Sequence, residues 1–558
     1  MVQDGGGMEN INSLKLSPGM GGYNYSKNID KLDPSCMIEE SCNFNILPDY
    51  LQTRGGTQKV LSLSERQPIT SLYQINDKNS INIHLLLTTF NGKIYKDDSE
   101  ILDLSGSINK ASYISWNDHI VINTGSTKPY VFDISASTIS VYPTDNLAND
   151  WITFSSYPSV MILHGRGLSS RAWALGTPHN PNTLYYSDVN NGISTCPNFQ
   201  QTGSGFFVIN TPNNEPLTSM ISFGDRLIVF SKTKSFIIDD SSLDIAEWGY
   251  TSAQWKGGCL NQELILQTEN DLFAFSEDGT IYSVSAVMQY GDYRISSITE
   301  AAQINTYIQE KINNSLLLSA HAQFDPTLRA IKYFMAFSNY NLNNMALVYF
   351  IDKQPMNGWS IHHNINFDSG YDACSSCLIK NKTNNNSFVY TGDYDGNVWL
   401  LETDNINDAY EEFPLILTSP FINVDDPRNT KRFKRGYLEI IADNSLNIKI
   451  NQLSSSYNGS NENLVFISSQ NTFDDATWDF STFDISAIKY IKYFINKIGI
   501  YIKQSFSFSK LNVYQFGRFD SAKWDQDRFV TDDIGISKFN ILSNIIDVIT
   551  VSNRSLMR

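Results

Sequence analysis

At 558 residues, with 18% charged side chains and a net charge of -17, the chain can bury several cores. The acidity excludes a chain that wraps nucleic acid by neutralising its phosphates. No apolar run reaches the roughly 20 residues of a membrane helix, so no membrane anchor is expected. The opening MVQDGGGMEN has no basic or apolar leader region and predicts no secretion signal.

Aromatic residues make up 13% of the chain, with 29 Tyr and 32 Phe, and long helical patterns are scarce. This mixture, punctuated by Asn, Asp, Gly and Ser turns, predicts an all-β protein. Six cysteines are too few for a disulfide framework and suit a reducing cytoplasm. Only Cys374 and Cys377, in CSSC, show metal-ligand spacing. A zinc site needs two further ligands and the seven histidines are scattered, so no metal and no cofactor are expected.

In chain order, residues 1–59 read as an N-terminal arm. DGGG (4–7) and SPGMGG (17–22) lack the Lys-Ser/Thr of a phosphate loop and read as flexible segments. CNFNILPDYLQTRGGTQKV (42–60) then carries an extended apolar stretch into Pro48-Asp49 and ends on Arg54-Gly55-Gly56, where strand-like alternation begins.

Residues 60–405 repeat one pattern: a polar turn, alternating apolar residues, another turn. It recurs in FNGKIYKDDSEILDL (90–104), WNDHIVINTGSTKPYVFDI (116–134) and FGDRLIVFSKTKSFIID (223–239). It returns in ENDLFAFSEDGTIYSV (269–284), NNMALVYFIDKQPMNGWSIH (343–362) and VYTGDYDGNVWLLETD (389–404). Asn-Gly, Asn-Asp, Gly-Asp or Asp-Gly supplies the hairpin turn each time. GRGLSSRAWALGTPHNPNTLYYSDV (165–189) adds a strand, a long loop and a second strand. Roughly seven such units, each about 40–60 residues long, predict a β-propeller of about seven blades. A stack of sandwiches is the competing all-β arrangement.

Residues 406–558 read as a C-terminal β-sandwich and tail, with longer strands in LNIKINQLS (446–454), IKYIKYFINKIGIYIKQS (488–505) and SKLNVYQFGRF (509–519). The tail, 530–558, reads as an ordered appendage or a docking strand.

Few motifs suggest chemistry. SEDGTIY (276–282) resembles the Asp-box of sialidase-like propellers, and YDGNVW (394–399) echoes it; such boxes shape turns and do not catalyse. No Gly-x-Ser-x-Gly elbow, Walker loop or His-Glu-x-x-His is present, so no enzyme is expected and no catalytic residue is assigned. The pair His362-His363 reads as a surface or interface pair. In TKRFKRG (430–436), Lys431, Arg432, Lys434 and Arg435 flank Phe433, which would place basic residues on both faces of a strand. They suit a phosphate contact, a patch for an acidic neighbouring subunit, or a solvated strand start.

The opening stretch and the turns together resemble the tail hub, or nozzle, proteins of short-tailed phages, also described as packaged-DNA stabilisation factors. The family's N-x-x-P…R-x-G lead-in is matched by Asn45, Pro48, Arg54 and Gly55. NGKIYKDDSEILDLSGS (91–107), LHGRGLSSRAWAL…LYYSDV (163–189) and MISFGDRLIVFSKTKSFII (220–238) follow in the family's order. LVYFIDKQPMNGWSIH (347–362), TGDYDGNVWLLETD (391–404) and TSPFINVDDPRNTKRFKRGYLEI (418–440) complete the series.

This resemblance implies a structural virion protein of the phage tail, assembled in the host cytoplasm. It implies a homo-oligomeric ring of six copies below the portal-adaptor ring, in contact with other tail proteins. That ring would retain packaged double-stranded DNA and conduct it during ejection. Arg54 would end an arm that ties the protein to a neighbour, and Lys431, Arg432, Lys434 and Arg435 would serve assembly. A receptor- or glycan-binding propeller of a tail or cell surface is the alternative.

Overall fold

A computed structural model describes residues 12–550, apart from 78–81, 109, 166–169, 243, 254–256, 290–291, 365–368, 384, 405–406, 410, 424–428, 442–445, 455–456, 468–487, 500 and 511–539. The chain is all-β, as its composition predicts, with short helices such as Asn149–Phe154 and Ile304–Lys311. It divides into two compact units. One gathers Gln58–Ile351 and Asp368–Leu401; the other gathers Met1–Thr57, Asp352–Phe367 and Glu402–Arg558.

In the first unit, antiparallel sheets follow one another along the chain. The first comprises Ile69–Ile75, His84–Thr89, Lys93–Lys96 and Ser99–Asp103. Four-stranded sheets then begin at Ser112–Trp116, Met161–His164, Leu217–Phe223 and Ile265–Gln267. A further sheet carries His321–Asp325, Ala330–Met335 and Met345–Phe350. The last carries Ala373–Lys380, Ser387–Asp393 and Asn397–Thr403, and its next strand is Gly56–Ser62, from far upstream.

The turn residues do what their types require. Gly92, Gly279 and Gly396 hold φ of +87°, +81° and +79° between paired strands, backbone that residues with a Cβ rarely adopt. In the Asp-box, the Asp278 carboxylate accepts the Thr280 N–H at 2.9 Å and closes the turn. Around YDGNVW, Asp393 accepts from the N–H groups of Asp395 and Asn397, from the Asn397 amide and from the Trp399 indole, all within 2.9 Å. These motifs are structural.

Apolar cores fill the space between successive sheets. Ile75, Leu86 and Ile94 of the first meet Ile120, Ile122 and Phe132 of the second. Ile379 and Val398 of the last sheet meet Leu72, Leu87 and Tyr95 of the first. The first strands of the sheets lie beside one another in order from Ser112–Trp116 onward, and Ala373–Lys380 lies in turn beside Ile69–Ile75. Small hydroxyls stitch them together: Ser71 accepts the Ala111 N–H at 2.7 Å, Ser112 accepts the Met161 N–H at 3.2 Å, and Ser375 donates to the Ile69 carbonyl at 2.6 Å. Serine suits this position because it permits close strand approach and satisfies backbone groups that no ladder reaches.

The second unit has two larger sheets. One runs Phe44–Ile46, Leu51–Thr53, Asn540–Thr550, Lys431–Ile441, Ile488–Gly499, with Asn12–Leu16 also paired to Asn540–Thr550. The other runs Leu415–Thr418, Ile502–Lys510, Leu446–Ser454, Tyr457–Ile467. Along Leu446–Ser454 buried residues alternate with partly exposed ones, the period of a strand with one buried face. Phe44 meets Phe508 edge-on at 6.1 Å, and Tyr493 meets Phe506 at 6.1 Å, so the two sheets share a core. Within it, Tyr493 donates to Asn544, Asn544 donates to Gln504 and Gln504 donates back to the Tyr493 hydroxyl, at 2.8, 2.9 and 3.0 Å. This triangle satisfies three buried side chains at once.

Two sequence expectations change here. From Asn12 onward the expected arm is built into this unit, because its backbone pairs with strands of the chain's own C-terminal half. Asn540–Thr550, expected within an ordered appendage or a docking strand, is a strand of the unit's own sheet, between Leu51–Thr53 and Lys431–Ile441. The expected strand residues 511–519, and 530–539 and 551–558 of the tail, lie outside the described residues.

Candidate functional site

The lead-in motif converges on one guanidinium. The hairpin of Phe44–Ile46 and Leu51–Thr53 delivers Arg54 into the interior, where its side chain is fully buried. Nη1 and Nη2 reach Oδ1 and Oδ2 of Asp408 at 3.0 and 2.6 Å, a two-pronged ion pair. Nε donates to Asn43 Oδ1 at 2.8 Å, Nη1 to the Gly55 carbonyl at 2.9 Å and Nη2 to the His363 carbonyl at 3.5 Å. Five bonds match the five N–H donors of the group. The Phe413 ring lies 3.5 Å from the guanidinium carbon and covers its face.

The neighbours are equally engaged. Asn43 donates its amide to the carbonyls of His363 and Pro414 at 2.9 and 2.6 Å, while its oxygen also accepts the His363 N–H at 2.8 Å. Asn364 donates to Asp408 at 3.0 Å. Glu402 accepts from Asn45 at 3.1 Å and from the Gly55 N–H at 2.7 Å. Gly55 has no room for a side chain: an added Cβ would sit 2.4 Å from the Thr403 carbonyl oxygen. Thus Asn45, Arg54 and Gly55 clasp three separate stretches of one chain: 43–57, 360–364 and 402–414. Burial, and secondarily the Arg54 charge, pushes the His363 imidazole down to about 4.

Arg54 was expected at an intersubunit contact. The structure places it inside its own unit, paired to its own Asp408, because a buried guanidinium must find a carboxylate nearby. Of the pair His362-His363, expected at a surface or interface, His362 is fully buried, with Nε2 3.1 Å from the Phe44 carbonyl, and His363 beside it is partly exposed. Cys36, Cys42 and Cys377 are pushed up to about 12 by burial, which leaves them poor nucleophiles at neutral pH. Among the described residues no group of three His, Cys, Asp or Glu could hold a metal ion.

The basic run separates into two roles. Lys431 is buried, its Nζ 2.5 Å from Asn423 Oδ1, whereas Arg432 and Arg435 are exposed and Lys434 is half-buried. A bulge between Phe433 and Arg435 explains the spacing. Strict alternation would turn Arg435 inward with Phe433; the extra residue returns it to the outward face of Arg432. The neighbouring strand Ile488–Gly499 places Ile498 opposite Arg432, Phe494 opposite Arg435 and Lys492 opposite Tyr437. Lys492 is exposed, with Nζ 6.0 Å from the Phe494 ring. Phe494 and Ile498 are 63% and 44% exposed, so this face joins cations to bare apolar surface.

Sequence reading missed Asn43, Asn364, Glu402, Asp408 and Phe413. Asp408 and Glu402 meet Arg54 and Gly55 across 354 and 347 positions, a separation that no local pattern signals. IKYIKYFINKIG was read as strand with polar residues outward; Lys492 fits that reading, whereas the outward Phe494 and Ile498 do not.

No protein-family model matches this chain, and no curated protein matches it. Solved structures with a similar chain path include the β-propeller domain of Myceliophteria thermophila Cps50 (Swd1), at 11% identity and a TM-score of 0.40, covering 62% of this chain and 99% of that one. BamB from Moraxella catarrhalis aligns at 10% identity and a TM-score of 0.34, over 66% and 95% of the two chains. BBS1N, solved in complex with ARL6DN, aligns at 11% identity and a TM-score of 0.38, over 63% and 96%.

Proposed function

We propose that this chain is a structural, non-enzymatic protein of a short phage tail. Six copies would form a ring that extends the portal channel, retains packaged DNA and conducts it during ejection. The first unit is read as a seven-bladed β-propeller closed by the upstream strand Gly56–Ser62, and the second as a β-sandwich. The observation that supports the reading is the clasp. Asn45, Arg54 and Gly55, which carry the resemblance at its start, act on one buried network. The motif therefore corresponds to a physical joint within the fold.

Charge supports the conducting role. With -17 per copy, a six-membered ring carries on the order of a hundred negative charges, so duplex DNA slides rather than sticks. Electron microscopy of the chain mixed with a portal-adaptor ring is expected to show a six-fold ring with a central channel. Tight, salt-sensitive binding of duplex DNA by the free chain would count against a passive acidic conduit.

The second reading, a glycan-binding propeller, draws on one feature. A cavity of about 360 Å³ in the first unit is lined by Lys232, Glu277, Asp278, Gln309 and Asn314, with Leu317 among its apolar members. Binding to a glycan array, with no ring on the adaptor, would favour it.

A further inference from the structure

We propose that the outward face of strands Lys431–Ile441 and Ile488–Gly499 is the surface by which one copy of this chain docks on an acidic surface of the next. The inference rests on the ring reading above and deepens it by naming the contact.

The face is defined by register. Arg432 stands opposite Ile498, Arg435 opposite Phe494 and Tyr437 opposite Lys492, so these side chains project from one side of the sheet. On the same face, two strands beyond Lys431–Ile441, Lys15 pairs with Ile545, which pairs with Tyr437, extending the Lys492 row to a second exposed lysine. Arg432, Arg435 and Lys492 thus lie beside Phe494 and Ile498, while Asp547 holds the register position opposite Arg435 on the other neighbouring strand, so basic positions outnumber the acidic one on this face. An exposed aromatic ringed by arginine is the composition of an interface anchor, since both residue types are enriched where binding energy concentrates.

Charge selects the occupant. The chain has 58 acidic against 41 basic residues, so a second copy offers mostly negative surface to a basic patch. The outer edge of one sheet shows this: Asp239, Asp244 and Glu247 are exposed within nine residues. A basic face meeting a different, acidic face is a heterologous contact, which closes into a ring when the rotation between copies closes and otherwise runs on as a filament. Like-signed faces would repel, so the same charges disfavour a two-fold dimer through this patch. The bulge after Phe433 has a consequence here, because without it Arg435 would point into the core.

Self-association of the full chain is measured by sedimentation over a concentration series at low and high salt. Three proteins are compared: the native chain, Arg432→Glu/Arg435→Glu/Lys492→Glu, and Phe494→Ser. Native association is expected to weaken with salt, because partly exposed ion pairs are screened beyond about 8 Å at physiological ionic strength. The triple variant should associate on the order of tenfold more weakly or worse, and Phe494→Ser should weaken association with less salt dependence. Circular dichroism and thermal melts should match the native chain, since all four positions are exposed. Native-like association of both variants overturns the docking face. If six-fold rings still form on the adaptor with the triple variant, the face is excluded while the ring reading stands. A variant that melts early yet associates normally assigns the face to a segment of its own chain, which also overturns the proposal. A native chain that stays monomeric at low salt and high concentration does so too.

Discussion

Arg54 and Asp408 lie 354 positions apart in sequence and form a two-pronged, fully buried ion pair. The pair is poised asymmetrically. Removing one partner strands the other charge in the interior, which costs ~3–5 kcal/mol. Arg54→Ala and Asp408→Ala should each lower unfolding stability by that order, measured by chemical denaturation. Arg54→Met combined with Asp408→Leu should cost less than the sum of the two single changes, because neither charge is then stranded. Additive losses would show that the pair is not coupled.

His363 gives the clasp a pH dependence. Its folded pKa is held at about 4, chiefly by burial and then by Arg54, whereas an unfolded imidazole titrates near 6.5. Between those values the unfolded chain binds a proton that the folded chain refuses, so stability falls as pH drops through that window. The contribution is complete above about pH 6.5, and its loss reaches about 3 kcal/mol near pH 4. Burial pushes His321 down as well, so the informative quantity is a difference between variants. His363→Gln should flatten the stability profile between pH 6.5 and 4 relative to the native chain. An unchanged slope would remove His363 from the account.

Gly55→Ala tests the close approach at the clasp. The added methyl would stand 2.4 Å from the Thr403 carbonyl oxygen and 2.5 Å from the Glu402 backbone. Relief requires the backbone to move, so a loss of about 1–3 kcal/mol is expected by thermal unfolding. Gly224→Ala is a control for crowding, since nothing lies within 4 Å of an added Cβ there, although its φ of +62° carries strain of its own.

Lys431 and its neighbours should part company on mutation. Lys431→Ala removes a buried cation bonded to Asn423 and should reduce stability, by an amount typical of a lost buried charged hydrogen bond, about 1.5–3 kcal/mol. Arg432→Ser with Arg435→Ser should leave the melting curve within about 0.5 kcal/mol of native. Matching losses for the two variants would contradict the inward and outward assignment.

Much of the β architecture was legible because it is local. Asn91-Gly92, Asp278-Gly279 and Gly396 mark turns, and the alternating residues after them pair with their immediate neighbours. LNIKINQLS was read with the bounds that the strand adopts. The clasp was legible only in part. Arg54 and Gly55 stand out by type, but nothing near them in sequence announces Asp408, Glu402 or Phe413. A buried charge chooses its partner in space, and pattern reading sees only along the chain. The basic run shows a smaller failure of the same kind: a single bulged residue reverses which side Arg435 faces, and no residue type in KRFKRG signals it.

The strand Gly56–Ser62 runs beside Asn397–Thr403, and Thr57 pairs in parallel with Asp408. This has a consequence for biosynthesis. The ribosome delivers Gly56–Ser62 early, but its partners emerge some 340 residues later, which at about 5–20 residues per second is roughly 20–70 s of translation. Neither unit can reach its final pairing until then, since each draws on segments from both sides of that interval. The nascent chain therefore carries this strand without its sheet partners throughout that interval. The first unit therefore waits for synthesis to reach Leu401, and the second waits longer still, for Asn540–Thr550.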